Sequence, residues 1–162
     1  MARLEPLHQF ICDTCGQVIE NPDQGYVEWF VDPHSPPDHH GFSIVHHAPY
    51  SPRRESDRDC YIGRATGSLP LPRFLGQDGA AQRLAFLDLG PHHDPDRRNS
   101  PQARDLREYV EFLRRLTIPY YEEARLHWHV LQSQDYAGIN ETAIFEASEL
   151  LRIIHDGEAA QR

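Results

Sequence analysis

The stretch QFICDTCGQV, residues 9–18, constrains this chain more than any other. Cys12 and Cys15 stand two residues apart, and Gly16 follows. A tight turn over such a pair aims both sulfurs inward, and a glycine after it accepts backbone angles that a side chain resists. Three chemistries use this spacing: metal ligation, dithiol redox and simple burial of thiols. A redox pair sits at a helix N-terminus, after a strand, in an alternating strand–helix pattern. Here GQVIENPDQG follows and reads as a turn. The pair is therefore read as a metal knuckle.

A structural zinc needs four protein ligands. Cys60 is the only other cysteine, and several of the eleven histidines lie between the two cysteine positions as candidates for the fourth ligand. GFSIVHH (41–47) alternates, with Phe42, Ile44 and His46 on one face. If Phe42 and Ile44 face the core, His46 continues that face and is the first choice. His47 serves instead if the strand carries a bulge. The expected site is Cys12, Cys15 and Cys60 with His46 or His47. Two knuckles on antiparallel strands are the plan of a zinc ribbon, and residues 8–65 resemble that broad class. The second knuckle departs from the usual ribbon, being His-x12/13-Cys rather than a second Cys-x-x-Cys. The resemblance implies a structural zinc and, as one use of ribbons, nucleic-acid binding.

Periodicity divides the chain near residue 75. Before it, HQFIC and GYVEWFVD (25–32) read as strands, the latter with Val27, Trp29 and Val31 on one face. LPLPRFLG (69–76) reads as an extended connector, because residues before proline avoid the helical region. After it, DGAAQRLAFLDLG (78–90) fits a short helix ended by Gly90 and Pro91. Ser100–Pro101 reads as a helix start, with Leu106, Tyr109, Val110, Leu113 and Leu116 as its apolar stripe. Pro119 opens a further helix with Tyr120, Ala124, His127, Trp128 and Leu131 on one face. A last helix from about Glu141 carries Ile144, Ala147, Leu151 and Ile154. The expected architecture is α+β. A small zinc-ribbon-like antiparallel β subdomain (1–75) packs with a C-terminal helical subdomain (76–162).

Outside the cysteines, HHDPD is the sharpest polar candidate. His92, His93 and Asp94 on one loop can hold a second metal or an acid–base pair, which would make a metal-dependent hydrolase. The competing reading is a solvated loop whose aspartates cap turns. His127 and His129 are two apart on a helix, so they cannot both ligate one ion. PYYEEAR (119–125) reads as acids placed at the positive end of a helix dipole.

Composition removes several functions. All sixteen basic residues are arginine, so lysine Schiff bases and Walker-type phosphate loops are excluded. A net charge of −9 opposes the counterion release that drives nucleic-acid binding. No apolar run approaches the roughly 18 residues of a membrane span, and the N-terminus lacks a secretory apolar stretch. The expectation is a cytoplasmic, non-enzymatic protein with a structural zinc that acts through an unknown protein partner. Tyr120 and Tyr121 are its expected exposed anchors. Nucleic-acid binding, aided by Arg53 and Arg54, is the alternative.

Overall fold

A computed structural model describes residues 3–32, 38–53, 59–61, 67–90 and 101–161. His92, His93, Asp94 and Arg54 lie outside the described residues. The fold is α+β. The first hairpin pairs β1 (Phe10–Ile11) with β2 (Val18–Ile19), so the Cys-x-x-Cys turn is the hairpin's own loop. The following sheet holds β3 (Gly25–Asp32), β4 (Asp38–His46) and β5 (Gly67–Pro70) in the order β4-β3-β5, all antiparallel. A register shift between Glu28 and Phe30 bends β3. The β5 strand lies where a mere connector was expected. Its proline falls at the strand end, on an edge where no amide is missed.

Four α-helices follow among the described residues: α1 (Gly76–Ala85), α2 (Leu106–Thr117), α3 (Tyr121–Ala124) and α4 (Ala147–Ala160). The α2 helix begins at Leu106 rather than at Pro101. Asp105 is its cap, its side chain accepting from the amides of Arg107 and Glu108. The expected α2 stripe is also rotated. Tyr109, Phe112, Arg115 and Leu116 are buried, while Leu106 and Val110 are exposed. The helix after Pro119 is α for one turn and then 3-10 over Arg125–Gln132. The last helix starts at Ala147, later than Glu141, and buries Leu150, Ile153, Ile154 and Gly157.

The interior forms two clusters. The first is built on aromatic rings: Phe42 packs 4.9 Å from Tyr109, 5.0 Å from Phe86 and 5.2 Å from Phe112, between centroids. It draws on residues from both sides of residue 75. The second joins α3, the 3-10 turn and α4 through Tyr121, Ala124, Tyr136, Leu150, Ile153 and Ile154. Tyr121 is therefore not an exposed anchor. It is 1% exposed and its hydroxyl donates to Glu111. Tyr120 is half-buried in the left-handed region at φ 67°. A buried ring at position 121 sinks α3 into the protein.

Candidate metal centre

The first hairpin makes the first half of the site. The Cys12 amide donates to Gln17 O at 2.9 Å and the Gly16 amide donates to Cys12 O at 2.9 Å, closing the knuckle. Gly16 sits at φ 73°, the left-handed angle such a turn needs. The second half comes from two places. His46 ends β4, paired with Gly25 of β3, and its face is set by Phe42 and Ile44, four and two residues before it. Cys60 lies in the segment after the Ala48–Tyr50 turn and is anchored by Ser51 and Thr14. Its amide donates to Ser51 Oγ at 3.1 Å, and Thr14 Oγ1 donates to its carbonyl at 2.7 Å.

These segments bring Cys12, Cys15, His46 and Cys60 together. One ligand atom from each lies within 4.8 Å of all the others. Cys12, His46 and Cys60 are at most 4% exposed. Cys15 Sγ is 3.5 Å from His46 Nδ1. A tetrahedral ion with bonds of about 2.3 Å to sulfur and about 2.05 Å to nitrogen separates those two atoms by about 3.5 Å. His47 is not in the cluster. Its amide bonds Gln24 O, and its ring lies 4.6 Å from that of Tyr26. The strand carries His46 inward without a bulge at that end.

The histidine tautomer follows from its neighbours. His46 Nε2 lies 3.2 Å from Val18 O, a carbonyl that can only accept, so Nε2 carries the proton. Nδ1, on the Cys15 side, keeps its lone pair for a metal. Burial holds the imidazole below its usual pKa, against the pull of Val18 O, and so favours the neutral, ligating form. Burial pushes the Cys15 thiol up to about 12; Cys12 and Cys60 push the same way and the Gln17 amide pulls back. The Cys15 thiol thus resists ionisation, and a coordinating cation is what deprotonates a thiol. The Ser51 hydroxyl, 3.2 Å from Cys60 Sγ, donates to that sulfur. The donor set fits a metal ion, with three sulfurs and one nitrogen filling four positions.

Behind the knuckle stands a network absent from the sequence reading. Asp13, between the two cysteines, accepts from the Ile44 amide at 2.7 Å and from Arg115 Nη1 at 2.8 Å through Oδ2. Arg115 also donates to Glu122 through Nε at 2.7 Å and Nη2 at 2.9 Å, and to Ile11 O at 3.2 Å. Arg125 bonds Glu122 at 3.1 Å and reaches Asp13 Oδ1 at 3.3 Å. The Ile11 amide donates to Glu122 Oε1 at 2.8 Å. Glu122 stands in the first turn of α3 and is 5% exposed, so it is also an interior ion-pair partner. Burial pushes its carboxyl up, but Arg115 and then Arg125 pull harder, and the net shift is down. The network ties the knuckle to α2 and α3.

Compared with family models, curated proteins and solved structures, the chain matches none. No helix among the described residues is long and apolar enough to cross a membrane.

Proposed function

We propose that this chain is a non-enzymatic, zinc-stapled protein that works by holding a partner protein. The observation that carries the reading is the closed donor set: Cys12, Cys15, His46 and Cys60 together supply four ligand atoms. Three sulfurs and one nitrogen in a tetrahedron suit zinc among the common divalent ions, and a site with four protein ligands leaves no position for substrate. The ribbon-like reading rests on the β1–β2 hairpin carrying one pair of ligands, with His46 at the end of β4 and Cys60 beyond it supplying the other two. The partner reading is supported by α2, which leaves Leu106 and Val110 51% and 38% exposed one turn apart on one face.

Elemental analysis of untagged protein tests the metal. One zinc per chain is expected, lost in Cys12→Ser and unchanged in His47→Ala. Zinc retained in full by a Cys12→Ser, Cys15→Ser double variant refutes the assignment. The partner is tested by cross-linking from the native host, with Leu106→Asp, Val110→Asp beside the unaltered chain. A cross-linked species that is the same for both removes the α2 face from the reading.

A further inference from the structure

A cavity of about 360 Å³ lies between the metal-bearing hairpin and the helices. Leu4, Ile11, Val18 and Leu126 give it apolar walls, and two carboxyls, Glu123 and Glu158, share the same lining. Glu123 is the unusual member. It is 7% exposed, and its one hydrogen bond among the described residues is from the Leu4 amide to Oε2, at 3.1 Å. Its neighbour Glu122 has two arginines; Glu123 has no basic group within ion-pair distance among the described residues. A carboxylate largely covered by protein but open at one oxygen can take a charge-assisted hydrogen bond there. Its Oε1 takes no hydrogen bond among the described residues and keeps contact with solvent, and the residue lines this largely apolar space.

The back of the cavity is rigid. His127, 8% exposed, lies against α4 at Gly157, where any Cβ would collide with the imidazole ring. The opposite wall belongs to the hairpin. Ile11 precedes Cys12, and the Val18 carbonyl receives the His46 Nε2–H. The volume falls in the small-molecule range of roughly 300–1,000 Å³.

We propose that this cavity binds a small apolar amine. The ammonium group pairs with Glu123, with Glu158 adding negative charge, and the alkyl or aryl body fills the space among Leu4, Ile11, Val18 and Leu126. Such a ligand supplies a cation that no described residue gives Glu123 and displaces water from apolar walls in one event. A carboxylate ligand of the same shape is repelled, and a neutral one leaves Glu123 unpaired.

The experiment is calorimetric titration of the full chain, as isolated with its metal, at pH 7. The probes are n-butylamine, n-hexylamine, 2-phenylethylamine and tryptamine, with 2-phenylethanol and phenylacetate as the neutral and anionic counterparts. Saturable 1:1 binding of at least one amine is expected, with both counterparts weaker by about tenfold or more. Glu123→Gln keeps an acceptor for the Leu4 amide and so keeps the fold. It is expected to weaken amine binding by about tenfold, and Glu158→Gln by less. Equal binding of amine and alcohol, amine binding unchanged in Glu123→Gln, or no saturable binding by any amine overturns the proposal. So does a lysine-bearing peptide that binds more tightly than every free amine, since the site then reads a polypeptide. Metal content measured on the same samples separates a failure here from a failure of the zinc reading.

Discussion

Replacing Arg115 with methionine tests whether the helices hold the knuckle in place. The guanidinium is 6% exposed and makes four hydrogen bonds: two to Glu122, one to Asp13 and one to Ile11 O. Methionine keeps the apolar stem and removes the charge. Breaking one side of a buried ion pair costs about 3–5 kcal/mol, because the other side is left uncompensated. Here Glu122 keeps Arg125 at 3.1 Å, so the loss falls near the lower end, about 3 kcal/mol. Glu122→Met leaves both arginines to share Asp13 and strips the Ile11 amide of its acceptor, so its cost lies at the upper end, about 5 kcal/mol. The double variant is expected to be less destabilised than the sum of the two by at least about 1 kcal/mol. Urea unfolding of the metal-loaded chain, followed by tryptophan fluorescence and far-UV circular dichroism, measures all three. An Arg115→Met variant within about 0.5 kcal/mol of the unaltered chain, the range of an ordinary surface substitution, refutes the claim that this network carries the docking.

Acid should loosen the same junction. The folded Glu122 carboxyl titrates below its unfolded value of about 4.3, so its contribution is complete above that pH and is lost as pH falls through the lower folded value. Stability measured from pH 7 down to pH 3 should bend downward below about pH 4.3, and the bend should shrink in Glu122→Gln. Chelation with a zinc-selective reagent should unfold the hairpin together with its contacts to α2, since structural zinc supplies about 10–16 kcal/mol of apparent binding energy in small folds. Near-UV circular dichroism of the chelated chain checks this, and an unchanged spectrum counts against it. Phe112→Ala, in the aromatic cluster, should cost about 3–5 kcal/mol, and Val110→Ala, on the exposed face, under about 1 kcal/mol, in the same urea assay.

Local patterns carry the parts of this protein that were legible before the structure. The Cys12–Cys15 spacing and Gly16 announce a knuckle because a turn is a local event. The alternation through Phe42, Ile44 and His46 chooses between two adjacent histidines, since a period of two puts His47 on the other face. What stayed hidden depends on distant partners. In LRRL nothing local marks Arg115 as interior, yet it lies between Phe112 and Leu116 on the buried face of α2. Its partner Asp13 was hidden between two cysteines that drew all the chemistry to themselves. Position 115 follows Phe112 by three residues, so a buried-face argument seeded on Tyr109 and Phe112 would have placed it inside. Leu106 misled for the opposite reason: Asp105 caps α2 just before it, and Leu106 stands with Val110 on the exposed side of the helix. The short strands β2 and β5 are held by their neighbours in the sheet rather than by their own propensity, and so left little signal.

The link between Asp13 and Arg115 also sets an order of events during synthesis. The two residues are 102 positions apart. At ribosomal rates of about 5–20 residues per second, Asp13 waits about 5–20 s for its partner. All four metal ligands are made before Arg115, so an ion can close the knuckle while the helices are still to come. With an ion bound, the nascent chain would carry a closed hairpin with Asp13 at its tip still waiting for Arg115, and α2 would dock onto it. A cell short of metal would present α2 with an unformed target, and the newly made chain would meet the cell's proteases before its first cluster had closed.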